Sequence, residues 1–264
     1  MAAFIQLVCT VNTFESLRQD GYVMLPGFLN ASRVARLIDQ VERLYEAEGA
    51  SAGLEFRQEP NCRRLANLVD KGPLFRALIG EPQVLELIGF VLGPEYKLSS
   101  LNARSADPNS DSAQPLHADM GAIPDRLGFW VCNTVWMLDD FTETNGALRV
   151  VPGTHRAGKL PPYLDAAHPD EKLVTGTAGT VVVMNAHLWH GGSGNRTSAH
   201  RRAIHGFYCR SDKPQQQYQK ALLKPETVAS LTRKERKIVA LDDPANDILS
   251  ADPTIARSGF LPTR

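Results

Sequence analysis

His117 and Asp119, in the run Gln-Pro-Leu-His-Ala-Asp that starts at Gln114, are separated by a single residue. On an extended strand successive side chains alternate, so both would point to one face, where an imidazole and a carboxylate can grip one metal ion. Such a triplet is short enough to arise by chance as a surface histidine beside a solvated aspartate. A second segment, from His187 to Arg202, supplies His187 and His190 after an apolar run and then the pair Arg201-Arg202. Two imidazoles and one carboxylate on one face of an iron leave three coordination positions open, which is the ligand set of non-haem Fe(II) oxygenases. Spacing alone does not decide between His187 and His190 as the distal imidazole.

The His-x-Asp triplet, a histidine in Leu-Trp-His-Gly and an arginine eleven residues beyond it together resemble the phytanoyl-CoA dioxygenase family. The likeness extends to the stretch from Trp136 to His155 and to Asp20 to Leu29, and so covers the chain from about residue 14 to about residue 210. It implies Fe(II), 2-oxoglutarate and O2 as cofactor and cosubstrates, with His117, Asp119 and His190 as metal ligands and catalytic centre. Arg201 would then hold the distal carboxylate of 2-oxoglutarate, because a planar guanidinium offers paired, charge-assisted hydrogen bonds that lysine cannot copy. Arg201 and Arg202 face opposite ways on a strand, so Arg202 is expected on the surface.

The same resemblance places Gln114 and Thr154 at positions that contact the cosubstrate, an amide and a hydroxyl each being able to donate to a carboxylate. Their ordinary alternatives are a loop amide and a turn hydroxyl capping its own backbone. Asn133, on an expected strand, is a candidate cosubstrate contact lining the cavity. Asn102, Arg104, Met120 and Phe129 are expected around the substrate, from strand alternation and nearness to the triplet. His155, His168, His200 and His205 lack the spacing of ligands, and Asp139-Asp140 reads as a strand end with turn-capping carboxylates. Related halogenases carry a small residue in place of the carboxylate, so Asp119 implies oxygenation without halogenation.

The elements needed to position these residues are legible in outline. A short helix at 14–19 and a strand at 22–25 precede a helix capped by Asn30, with Val34, Leu37, Ile38, Val41, Leu44 and Tyr45 as its buried stripe. Pro82, an apolar set from Val84 to Val91 and Gly93 mark another helix. Short β-rich runs follow at 97–103, 129–138, 147–151, 180–184 and 204–209, separated by Gly, Pro, Asn and Asp clusters. Helices first and strands second suggest a mainly β fold with α, a double-stranded β-helix or cupin-like jelly roll on N-terminal support helices, whose mouth is a natural cavity. The expected organisation is a single domain over 1–264, with a helical part to about 95, a jelly-roll core to about 210 and a helical tail to the end.

Composition narrows the partners. Lysine plus arginine equal aspartate plus glutamate at 29 each, and 43% of residues are hydrophobic. A neutral chain gives no electrostatic reason to expect nucleic acid or a membrane surface. Four scattered cysteines, Cys9, Cys62, Cys132 and Cys209, read as reduced thiols of a cytoplasmic protein. The apolar N-terminus is too short to span a bilayer and lacks a basic leader region, and the C-terminal Phe-Leu-Pro-Thr-Arg is not a peroxisomal signal. The expected activity is hydroxylation, desaturation or cyclisation at an unactivated C–H of a small molecule, natural-product or amino-acid-like, with release of succinate and CO2. The rivals are a metal-binding cupin-like protein without turnover, which would not need a dicarboxylate clamp, and a hydrolytic zinc site, which lacks a His-Glu-x-x-His helix or nearby general base.

Overall fold

In the computed structural model residues 11–56, 58–162 and 167–251 are described. Cys9, the apolar N-terminus and the C-terminal Phe-Leu-Pro-Thr-Arg lie outside them. The chain opens with α1 (Val11–Gln19), β1 (Tyr22–Leu25) and α2 (Ala31–Glu48). Asn30 caps α2 as its sequence position suggests, its Oδ1 accepting from Arg33 N at 2.9 Å. Val34, Leu37, Val41 and Tyr45 form the buried stripe. Next come β2 (Cys62–Leu65), α3 (Pro73–Ile79) and α4 (Pro82–Leu92), the last stopped at Gly93.

The β-rich part runs β3 (Tyr96–Ala106), β4 (Val131–Met137), β5 (Leu148–Val150), β6 (Lys172–Val174), β7 (Val181–Asn185), β8 (His190–Gly192) and β9 (Arg201–Arg210). The tail is helical, as α5 (Gln219–Leu222), α6 (Pro225–Ser230), α7 (Arg233–Ile238) and α8 (Pro244–Ala251). The elements that sequence patterning does not supply are β2, α3, β6 and β8. Both β6 and β8 are three residues long, too short for any period to show. No described helix is long and apolar enough to cross a membrane.

Two antiparallel sheets make a double-stranded β-helix. The larger has the order β1-β7-β4-β9-β3-β2 and the smaller β6-β5-β8. Their facing sides share one apolar cluster: Leu148 and Val150 from β5 and Val174 from β6 meet Val135, Met137, Val182, Met184 and Ala203 of the larger sheet. The outer side of the larger sheet is covered by helices, with Leu101, Trp136, Val181, Val183 and Ile204 packed among Leu37, Val41, Leu87 and Ile88. Each large side chain so buried contributes roughly 1.5–3 kcal/mol. That helical backing fixes the strands whose inner faces carry the polar groups described next.

Candidate metal and cosubstrate site

The site begins with a pair of backbone hydrogen bonds. His117 N donates to His190 O and His190 N to His117 O, both at 2.9 Å, so the two residues form one antiparallel bridge. Directly opposed residues project to the same side of a sheet, and the imidazole centroids lie 4.4 Å apart. The segment 114–117 thus acts as an additional strand beside β8, with Gln114 N donating to Gly192 O at 2.9 Å. That approach needs glycine on the partner: a Cβ at Gly191 would sit 2.7 Å from Gln114 O. Arg149 of β5 holds the same carbonyl through Nη2 and is itself held by Glu171 at 3.1 Å.

Asp119 enters differently from the strand expectation. Ala118 is extended, with φ −99° and ψ 138°, but Asp119 already starts a 3₁₀ turn through Gly121. One extended residue between His117 and Asp119 is enough to return the carboxylate to the side of the imidazole. Asp119 N is fixed by Ala186 O at 2.9 Å. Met120, immediately after the ligand, is left-handed at φ 62°, a conformation that costs a side-chain-bearing residue of order 1–3 kcal/mol and clusters at functional sites.

The resulting geometry suits one metal ion. His117 Nδ1 lies 3.0 Å from Pro115 O and His190 Nδ1 2.7 Å from Leu188 O. Backbone carbonyls thereby take one nitrogen of each ring and leave both Nε2 atoms for a metal, the usual arrangement of ligating histidines. These Nε2 atoms stand 3.5 and 3.4 Å from the two Asp119 oxygens. That is long for a hydrogen bond, so the three groups converge without closing on one another, leaving their donor atoms free for a shared ion. Among the described residues His117, Asp119 and His190 form the one group of three potential ligands, their atoms all within 4.8 Å of one another. Burial opposes ionisation of Asp119, but His190 and His117 outweigh it and hold the carboxyl well below the usual carboxylate range.

His187 is placed apart from this group. Its Nδ1 pairs with Asn185 Oδ1 at 2.9 Å, and its ring packs against Phe129 and Trp130. Burial lowers this imidazole to about 3, so it is neutral and structural.

Arg201 stands on the same inner face of the larger sheet as His205. It opens β9 opposite Ala106 of β3, Nη2 donating to Gly146 O at 2.6 Å and the guanidinium lying 4.2 Å from the Phe141 ring centroid. Burial lowers it only to about 10, so it remains charged. No carboxylate pairs with it among the described residues, and its buried Nε has no partner. Arg202 is the reverse: it makes a two-point contact with Asp139, Nε at 2.8 Å and Nη2 at 2.7 Å, and reaches Glu42 at 3.4 Å.

The remaining expected contacts divide. Asn133 Nδ2 donates to Asp119 Oδ2, so this residue touches the candidate triad, and its own buried Oδ1 has no partner. Gln114 borders the site, with Oε1 accepting from Gly192 N at 3.3 Å. The Thr154 hydroxyl donates to Val151 O at 2.7 Å and accepts from Trp189 N at 3.0 Å, next to His190. Asn102 is buried on β3 with Oδ1 unpartnered, and Arg104 pairs with Glu59. Met120 packs with Ala122, Val131 and Phe207, while Phe129 lies against His155 and His187, at 5.6 and 5.2 Å.

Sequence reasoning passed over Arg64 and Arg149 and set His205 aside as lacking a ligand's spacing. His205 shares the inner face of β9 with Arg201, four residues on, and opposes Asn102 of β3 and Val135 of β4. Counting alternate residues from Arg201 would have reached it.

Residues 17–203 match the model of the phytanoyl-CoA dioxygenase (PhyH) family. The chain belongs to the phytanoyl-CoA dioxygenase family. Among curated relatives, dioxygenase af480 of Aspergillus fumigatus is 29% identical over 71% of this chain and 62% of its own length. The Fe(II)/2-oxoglutarate-dependent dioxygenase nvfF of Aspergillus novofumigatus is 29% identical over 70% of this chain and 66% of its own. The chain therefore spans somewhat less than two thirds of each. Among solved structures, HygX from Streptomyces hygroscopicus with nickel and 2-oxoglutarate bound has a TM-score of 0.66 at 18% identity, covering 79% of this chain and 90% of that one. The likeness to HygX supports the jelly-roll fold of this family member.

Proposed function

We propose that this chain is an Fe(II)/2-oxoglutarate-dependent dioxygenase that oxidises an unactivated C–H of a small molecule, by hydroxylation, desaturation or ring formation, and releases succinate and CO2. The observation that carries the reading is the combination of a preformed two-histidine, one-carboxylate cluster with a half-buried arginine, its Nε fully enclosed, that lacks a carboxylate partner among the described residues. A protein that only bound metal would have no use for the second feature, because a buried guanidinium is costly unless an anion meets it.

His117, Asp119 and His190 would hold the iron, and Arg201 the distal carboxylate of 2-oxoglutarate. With both bound, the site supplies oxidative decarboxylation of 2-oxoglutarate by O2 and an oxidant for the substrate C–H. The protein positions this chemistry and shields it from water. Pro115 O and Leu188 O fix the ring orientation of the histidines, and Asn133 orients the Asp119 carboxylate. Gln114, bordering β8, is placed to meet the cosubstrate, whereas Thr154 serves by holding Trp189 beside His190. The Asp119 carboxylate occupies the position a halide would need, which supports oxygenation. We place the protein in the cytoplasm, since Cys62, Cys132 and Cys209 are free thiols, and its substrate among natural-product or amino-acid-like small molecules.

The test is an anaerobic titration of metal-free protein with Fe(II) and then 2-oxoglutarate. A weak visible charge-transfer band, followed by slow succinate formation when oxygen is admitted, is the expected result; iron binding with neither band nor succinate refutes the reading. His117→Ala and Asp119→Ala should lower iron-dependent succinate formation by at least about 100-fold, and unchanged turnover in either would remove that residue from the ligand set.

A further inference from the structure

Beside the triad, the inner face of the larger sheet carries more positive charge than its own carboxylates neutralise. Arg64 of β2 opposes Arg104 of β3, and both donate to the same oxygen, Glu59 Oε2, from Arg64 at 2.9 Å. Arg64 is 5% exposed and its Nε has no partner. Arg104 also meets the Cys62 thiol and lies within electrostatic reach of Asp119 and His117. One strand position away, Asn102 is 4% exposed with an unpartnered Oδ1, directly across from His205. Arg64, Arg104 and Arg201 surround His205 and keep its imidazole well below its ordinary value, chiefly by burial, so it adds no charge of its own.

The charges can be counted group by group. A bound Fe(II) dication and the dianionic cosubstrate cancel. Asp119 and Glu59 neutralise two of the three guanidiniums, and one positive charge is left over. Arg64 is buried and the Arg104 side chain is 26% exposed, so the surplus is partly desolvated and is stabilised when an anion meets it. The surplus lies on the Arg64–Arg104 pair, which shares a single carboxylate oxygen; the unpartnered Asn102 Oδ1 beside it is an acceptor and can meet only a hydrogen-bond donor elsewhere on the substrate.

We propose that Arg104, backed by Arg64 and flanked by Asn102 and His205, is the anion-binding subsite for the substrate, and that the substrate is a monocarboxylic acid. A carboxylate brings the single negative charge the pocket lacks and can lie against a guanidinium edge through two parallel hydrogen bonds. A phosphate ester near its dianionic form would leave the site negative. The assignment rests on the dioxygenase reading, because the count includes the metal and 2-oxoglutarate. It narrows the substrate class to molecules whose oxidised C–H sits a short reach from a free carboxylate.

The experiment uses the full chain loaded with Ni(II), which does not turn over with oxygen, and saturating 2-oxoglutarate. Propionate, benzoate and L-proline are each titrated by calorimetry against their amides, with phenyl phosphate as a further probe. At least one acid should bind about tenfold or more tightly than its amide, and phenyl phosphate should bind more weakly than benzoate. Arg104→Gln should erase the acid preference, Arg104→Lys should restore part of it, and the affinity for 2-oxoglutarate should change less than about threefold in both. Asn102→Asp, which supplies the missing negative charge from the protein, should also remove the preference and covers the case in which Arg104 variants fail to fold.

Equal binding of acids and amides, binding of no acid, or tighter binding of phenyl phosphate would overturn the proposal. So would an Arg104→Gln protein that loses 2-oxoglutarate as strongly as it loses the acid, since Arg104 would then belong to the cosubstrate. Failure of 2-oxoglutarate to bind the Ni(II)-loaded wild-type protein would instead strike at the dioxygenase reading itself.

Discussion

The two faces of the larger sheet treat charge in opposite ways. On the outer face Arg63 pairs with Glu42 and lies 4.2 Å from the centre of the Tyr45 ring, and Arg202 is held by Asp139 and Glu42. On the inner face Arg201 has no carboxylate, Arg64 and Arg104 share one, and Asn102 and Asn133 keep buried oxygens without partners. Each outer guanidinium meets a carboxylate of the protein, although Arg63 Nε is left without a partner, so their role is to hold helices to strands. The inner groups are satisfied only when something else arrives. Incomplete pairing therefore distinguishes the working face from the supporting one more sharply than residue type does, since arginine is common to both.

Neighbouring arginines on β9 offer the most severe test of this contrast. Arg201→Ala should raise the 2-oxoglutarate requirement by about 100-fold, the scale for truncating one partner of a buried charged hydrogen-bonded pair, measured as the half-saturating concentration for succinate formation. The same substitution at Arg202 should leave that requirement within about twofold; equal effects at the two positions would erase the distinction.

A second test uses acid. His187 is 2% exposed and its Nε2 has no partner, and burial lowers its imidazole to about 3. The unfolded chain takes up this proton first as pH falls, so stability drops from about pH 6.5 downward and continues to drop until the folded value near 3 is passed. Between pH 7 and pH 5 this group should cost about 2 kcal/mol. Urea unfolding at both pH values should show His187→Gln losing less stability than the wild type over that interval; an identical loss would deny His187 its place as a buried neutral group.

Smaller effects should separate the remaining groups. Asn133→Ala should weaken Fe(II) binding by about tenfold, the lower end for residues that orient a metal ligand, seen by competition with a chelator. Arg202→Ala should lower unfolding stability by about 1 kcal/mol, because its ion pairs are partly exposed and screened. A loss at Asn133 confined to stability, or a loss at Arg202 confined to iron binding, would reverse the two faces.

Much of this division was legible in the sequence. Alternation along β9 correctly sent Arg201 and Arg202 to opposite faces, and the stripe from Val34 to Tyr45 located the backing helix. What stayed hidden had specific causes. In β2 the run Arg63-Arg64 carries a charge to each face, one toward Glu42 and the other toward Glu59, so no apolar alternation announced a strand. All seven residues of β4 are buried, and only the register with β9, which sets Asn133 against Phe207, shows which of them look inward. The choice of His190 over His187 needed the family motif, because two histidines three apart in a loop and a three-residue strand carry no periodic signal. At Thr154 the hydroxyl is engaged by Val151 and Trp189, the turn contact that was the sequence's own alternative to a cosubstrate contact.

The bridge between His117 and His190 is made by main-chain atoms alone, and Asp119 is likewise moored through its amide to Ala186. The backbone at all three positions is thus moored independently of what the side chains hold. Genetic lesions at these positions should therefore give proteins that express, fold and crystallise like the parent while lacking the metal, which makes them clean blanks for substrate trapping.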